Sequence, residues 1–148
     1  EASAAMDRKA AEEGIAEMGT TLVMASIEAD SVTIAHVGDS RCYVQRPGDG
    51  LIYQTEDHTV NVNGRHMLAR CFFAGHPEVA LPDIKSIQLQ AGDRILLCSD
   101  GLYGAIGRGI LPGKMMDNKP LEKILDEYDK MCERDGNDNY SAILIELA

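Results

Sequence analysis

Arg94-Ile-Leu-Leu-Cys-Ser-Asp-Gly101 is the stretch that decides the fold of this chain. Ile95, Leu96, Leu97 and Cys98 run without a polar break between the turn Ala91-Gly92-Asp93 and the abrupt polar stop Ser99-Asp100-Gly101. An unbroken apolar run of this length, bounded by turns, reads as a strand buried on both faces. A carboxylate at the mouth of such a strand is flanked by backbone and short of water. A charge there needs a partner, and a metal ion is a natural one. Asp100 is therefore the first candidate metal ligand.

Outward from this strand, the chain alternates short strands and turns. Residues 20–28 and 31–37 are strand candidates around the turn Ala29-Asp30. Residues 41–45 follow the tight turn Gly38-Asp39-Ser40, and residues 51–54 follow Pro47-Gly48-Asp49-Gly50. Together these four strands predict an antiparallel meander. Residues 55–83 are less regular, with a short helix expected around 65–73. Residues 84–90 alternate imperfectly and read as a strand. Residues 102–106 begin a helix or turn, and 107–118 are loop-like. Residues 120–133 are an amphipathic helix, with Leu121, Ile124, Leu125, Tyr128 and Met131 at helical spacing. Residues 141–147 make a last buried strand, and 4–18, rich in Ala, Glu and Met, make an opening helix stopped at Gly19. Many antiparallel strands, with helices at the beginning and near the end, predict an α+β architecture: a pair of sheets covered by helices.

The length of 148 residues fits one domain, enough to bury roughly 70% of the unfolded surface. No window approaches the ~18 consecutive apolar residues of a membrane span, and the first residues lack the basic start and apolar core of a signal peptide. The formal charge of −10 argues against nucleic acid or an anionic membrane as partner and is compatible with divalent cations. Cys42, Cys71, Cys98 and Cys132 form no Cys-x-x-Cys pair and predict a reducing, cytoplasmic setting. His66, Cys71 and His76 lack the tight ligand pairs of a structural zinc site. Asp135-x-Asn137-x-Asn139 is followed by Tyr140 where a calcium loop has glycine.

Three aspartates stand at strand ends: Asp39, Asp100 and Asp138. If the last strand runs antiparallel to residues 94–99, the end of one lies beside the start of the other, and Asp100 faces Asp138. If the Asp39 turn shares that edge, three carboxylates meet. Two carboxylates about 4 Å apart repel by roughly 4 kcal/mol at an effective dielectric of about 20. Such a cluster keeps a proton or holds a cation, and oxygen-only ligands favour Mg²⁺ or Mn²⁺. Taken singly, each aspartate is also an ordinary turn former.

Met18-Gly-Thr-Thr21, Ala35-His-Val-Gly-Asp-Ser-Arg41, Asp57-His58, Gly92-Asp-Arg-Ile-Leu-Leu-Cys-Ser-Asp-Gly-Leu102 and Asp138-Asn-Tyr-Ser-Ala142 occur in this order. Together they resemble the later motifs of the metal-dependent (PPM, type 2C) Ser/Thr protein phosphatases. The resemblance implies a sandwich of two antiparallel sheets flanked by helices, here incomplete, with residues 1–148 a partial phosphatase domain. It implies hydrolysis of phosphoserine and phosphothreonine in signalling phosphoproteins by water activated on two Mg²⁺ or Mn²⁺ ions, without a phosphoenzyme. Asp100 and Asp138 match metal ligands of the family, Asp39 matches the aspartate of a third, weaker metal, and Thr20 and Thr21 match a structural position. No side chain is assigned as catalytic acid, base or nucleophile.

The family's Asp-Gly-x-Gly-Gly segment, whose aspartate bridges the metals, has no counterpart in the sequence, and the chain starts with Glu rather than Met. The expectation is a fragment with weak or no activity, whose open sheet edges favour a homodimer. Two other readings stay open: a phosphatase-like binding or regulatory domain without catalysis, and a sandwich whose aspartates only form turns.

Overall fold

A computed structural model describes residues 2–15 and 17–148. The strands in chain order are β1 (Gly19–Thr20), β2 (Leu22–Glu28), β3 (Ser31–Val37), β4 (Arg41–Arg46), β5 (Gly50–Gln54), β6 (Thr59–Val62), β7 (Arg65–Leu68), β8 (Phe72–Phe73), β9 (Asp83–Gln88), β10 (Arg94–Cys98) and β11 (Ala142–Glu146). The helices are α1 (Ala2–Glu13), α2 (Asp100–Ile106), α3 (Leu111–Lys114) and α4 (Leu121–Asp135).

Two antiparallel sheets carry the fold. One has the order β11-β10-β4-β5 and the other β2-β3-β9. The run Ile95–Cys98 is central in the larger sheet, with Leu96 opposite Leu144 on one side and Tyr43 on the other. Its two faces serve two cores, as an uninterrupted apolar strand should. Ile95 joins Val32, Ile34, Cys42 and Val44 between the sheets. Leu96 and Cys98 join Tyr43, Leu102, Ile124 and Tyr128 under the helices. The α+β sandwich flanked by helices expected from the sequence is therefore observed. Burial pushes the Cys42 and Cys98 thiols up to about 12, so neither is a ready thiolate.

Several expectations need correction. The four-strand meander is two hairpins in different layers: β2–β3 lies in one sheet and β4–β5 in the other. The chain changes sheet at residues 38–40. The helix expected around residues 65–73 is instead the second strand of the β6–β7 hairpin, followed by β8. The stretch read as a loop at 107–118 holds the short helix α3. The opening helix ends at Glu13 instead of residue 18, with Gly14 at φ +65°, while Ala16 lies outside the described residues. The uncovered face of the smaller sheet carries Met24, Ala35 and Ile84 side by side in register, with Met24 47% and Ile84 68% exposed.

Candidate metal centre

Residues 38–40 form a corner between the two sheets, and side chains from several elements hold it. Gly38 adopts φ +107°, and a Cβ there would sit 2.3 Å from the Thr21 methyl, so the corner requires glycine. The Gly38 N–H donates to His58 Nδ1 (3.2 Å), and the His58 N–H donates to the Gly38 carbonyl (3.0 Å). The Thr21 and Ser40 hydroxyls share a 2.8 Å hydrogen bond. Tyr103 OH donates to the Asp39 carbonyl (3.0 Å). Arg41, the residue after the corner, is buried and donates a fork to both oxygens of Asp57 at 2.6 Å each.

Asp100 opens α2, with Ser99 in extended conformation as its N-cap. Its Oδ1 accepts from the Gly101 N–H (3.0 Å), and Asp138 Oδ1 accepts from the Asn139 N–H (2.8 Å). Among the described residues, the second oxygen of each carboxylate has no hydrogen-bonded protein partner. β10 and β11 are antiparallel, with Cys98 opposite Ala142, so the end of one strand and the start of the other share an edge. The Ser99 N–H donates to the Ser141 carbonyl (3.1 Å), and the Ser141 N–H donates to Ser99 Oγ (3.0 Å). A Cβ on Gly101 would lie 2.2 Å from the Asn139 carbonyl oxygen, so α2 and the segment bearing Asp138 are in backbone contact.

All three aspartates singled out by sequence line one cleft of about 410 Å³, with His66, Tyr103 and Arg108 also in its wall. Burial, and next the negative charge of Asp100, push the Asp39 carboxyl above its usual range. Asp39 is half-buried, but Asp100 and Asp138 are exposed. The expectation that Asp100 is short of water is therefore corrected. Asp100 follows the buried strand as expected, but it opens a helix, and its side chain meets solvent there. Carboxylates with free oxygens and no sulfur suit a hard divalent cation, although the three do not bring one oxygen each within 4.8 Å of one another.

Sequence reading did not assign Arg108, His66 or Tyr103 to this cleft. Tyr103 alone left a signal: it stands three residues after Asp100, one turn along the same helix. Asp135 and Asn137 of the dismissed calcium spacing also line the cleft, Asp135 paired with Arg134 at 2.5 Å.

His36, His58 and Asp83 form a second gathering, with possible ligand atoms within 4.8 Å of one another. Their hydrogen bonds argue against an ion there. His58 Nδ1 accepts from Gly38, so the neutral ring carries its proton on Nε2 and donates it to Asp83 Oδ2 (3.1 Å). Burial holds the His58 pKa below its ordinary value, favouring that neutral form. No lone pair of His58 remains. His36 stacks on it at 4.4 Å between ring centroids and donates from Nε2 to the Glu56 carbonyl (2.9 Å). The group thus buckles the corner to β9. Among the described residues, His66, Cys71 and His76 do not gather as a ligand set.

A family model described as Protein phosphatase 2C matches residues 1–146. The serine/threonine phosphatase stp of Listeria innocua is 31% identical over 147 aligned positions, covering 87% of this chain and 57% of that protein. The chain thus spans little more than half the length of that relative. The structure of the S. agalactiae serine/threonine phosphatase superposes with a TM-score of 0.84 at 21% identity, covering 99% of this chain and 66% of the other. The catalytic domain of PstP, a serine threonine protein phosphatase in complex with 2 manganese ions, superposes with a TM-score of 0.76 at 25% identity, covering 96% of this chain and 64% of the other.

Proposed function

The chain belongs to the protein phosphatase 2C family, and from that premise we propose that it is part of a metal-dependent protein serine/threonine phosphatase. The observation that carries the proposal is the meeting of Asp39, Asp100 and Asp138 in one cleft. Asp100 and Asp138 would hold Mg²⁺ or Mn²⁺ through their free carboxylate oxygens, and Asp39 a further, weaker ion. Bound there, the ions would supply Lewis acidity that lowers the pKa of water and neutralises charge on a phosphoryl group. The chain's own work is to hold the ligands. The corner fixes Asp39, the helix start fixes Asp100, and the Ser99–Ser141 pair aligns the segment bearing Asp138. Arg108, exposed on the cleft wall and 3.8 Å from an Asp57 oxygen, would offer a positive charge to a phosphate entering the cleft.

Phosphoserine and phosphothreonine in signalling proteins are the substrate class. The cytoplasm is the setting, supported by four unpaired thiols. The sequence has no Asp-Gly-x-Gly-Gly segment, which supports weak or absent turnover by this polypeptide alone. The open edge of β2 supports homodimerisation.

Titration calorimetry with Mn²⁺ tests the metal reading. The expected result is binding weakened by more than about tenfold in Asp100→Ala and in Asp138→Ala. No heat at millimolar Mn²⁺ removes its support. Robust Mn²⁺-dependent turnover of a phosphopeptide, abolished by Asp100→Ala, refutes the claim of weak activity.

A further inference from the structure

Asp39 and Asp100 come from different structural contexts, and like charges push them apart. Asp39 sits on the corner between the sheets, and Asp100 on the first turn of a helix that packs outside the larger sheet. The other hydrogen bonds described for the corner come from the strand side: His58 to Gly38, and Thr21 to Ser40. The β4–β10 ladder, with Arg41 opposite Cys98, brings the corner beside the start of α2. One described side-chain bond then ties the corner to α2 itself, from Tyr103 OH to the Asp39 carbonyl at 3.0 Å.

The Tyr103 ring is itself immobilised. It is 5% exposed, and the Arg41 guanidinium lies 3.8 Å from its centroid. Arg41 cannot drift, because Asp57 holds it in a two-pronged fork and Tyr43 OH accepts from its Nη1 at 3.0 Å. A second guanidinium, Arg108, lies 5.2 Å from the same ring. The hydroxyl therefore starts from a fixed ring and ends on the backbone of the residue it locates.

We propose that Tyr103 is a positioning residue of the carboxylate cluster, setting the separation of Asp39 from Asp100 through its bond to the Asp39 carbonyl. The inference rests on the metal reading above and adds a residue that does not itself touch the ion. Tyr103→Phe is the direct probe, because it keeps the ring beside the two guanidiniums and removes only the hydroxyl. Tyr128→Phe is the control. It removes another buried hydroxyl, one without a hydrogen-bond partner, from the same core.

The experiment measures Mn²⁺ affinity by calorimetry and thermal unfolding without metal, on the whole chain. Tyr103→Phe should weaken Mn²⁺ binding about fivefold, the effect of one lost hydrogen bond, and Tyr128→Phe should leave it unchanged. The metal-free melting temperature of Tyr103→Phe should fall by no more than one lost hydrogen bond accounts for, and that of Tyr128→Phe, which loses none, should stay at or above wild type. Equal Mn²⁺ affinity in wild type and Tyr103→Phe overturns the inference while leaving the metal reading intact. Equal weakening in both variants also overturns it, because a softened core would then be the cause. Absence of Mn²⁺ binding in wild type sinks the metal reading and this inference together, and silence of Asp100→Ala in the same assay identifies that case.

Discussion

Asp93 illustrates how single residues are held in this molecule. Its side chain is fully buried in the turn before β10, yet it remains a carboxylate. Arg46 donates to both its oxygens (2.9 and 2.7 Å), and the Gln90 N–H donates to Oδ2 (2.9 Å). These bonds, Arg46 first, hold its carboxyl below the usual range. A carboxyl depressed in the folded state gives stability that is complete above its unfolded pKa, near 3.9, and is lost as pH falls through the folded value. Urea unfolding of Asp93→Asn should therefore show a shallower loss of stability than wild type below about pH 4. An unchanged acid limb would exclude Asp93 as the source. Asp83, pushed down to about 2 by Arg70 and His58, titrates lower on the same limb, but its exposure limits its weight. The candidate site was legible at this scale because acidic residues cluster where strands end. Tyr103 left only its spacing from Asp100 as a signal, and that spacing does not show that its hydroxyl reaches the corner.

At the scale of elements, legibility followed the strength of the local pattern. The helical spacing of Ile124, Leu125 and Tyr128 predicts α4, and Ile124 and Tyr128 are each 1% exposed beneath it. Ile124→Ala should cost about 2–5 kcal/mol in urea unfolding, because a methyl-rich side chain leaves a cavity that packed neighbours fill poorly. A value below about 0.5 kcal/mol, as for a surface site, would mean that the helix does not pack as described. The second strand of the β6–β7 hairpin was misread as helix although Asn63-Gly64 announces the hairpin. Both residues have positive φ, +54° and +82°, as a two-residue hairpin turn demands. The run after Gly64 lacks a breaker until Gly75, and that absence favoured helix. The two-layer path of β2 to β5 was hidden for another reason. A tight turn within a sheet and a corner between sheets use the same residues, and the partner strands that distinguish them, β9 and β10, lie far along the chain.

For the whole molecule, the unequal treatment of the two sheets matters most. Helices bury the outer face of β11-β10-β4-β5, whereas Met24 and Ile84 lie exposed on β2-β3-β9, Met24 on the edge strand β2. A strand with one unpaired edge and apolar side chains is a template for another chain. Sedimentation velocity should show concentration-dependent association, reduced by Met24→Lys, which places a charge on that edge strand. A monomer at every concentration would exclude pairing through β2.

The corner at residues 38–40 carries a further consequence, for the order of folding. It belongs to both sheets, so it cannot close until β3 has found β9 and β4 has found β10, pairings that span some fifty residues of chain. Long-range pairings of this kind are the slow part of folding. The carboxylate cluster is thus a late product of assembly, drawn from residues 39, 100 and 138, and no shorter excised peptide holds it. Its appearance reports that the sandwich has closed.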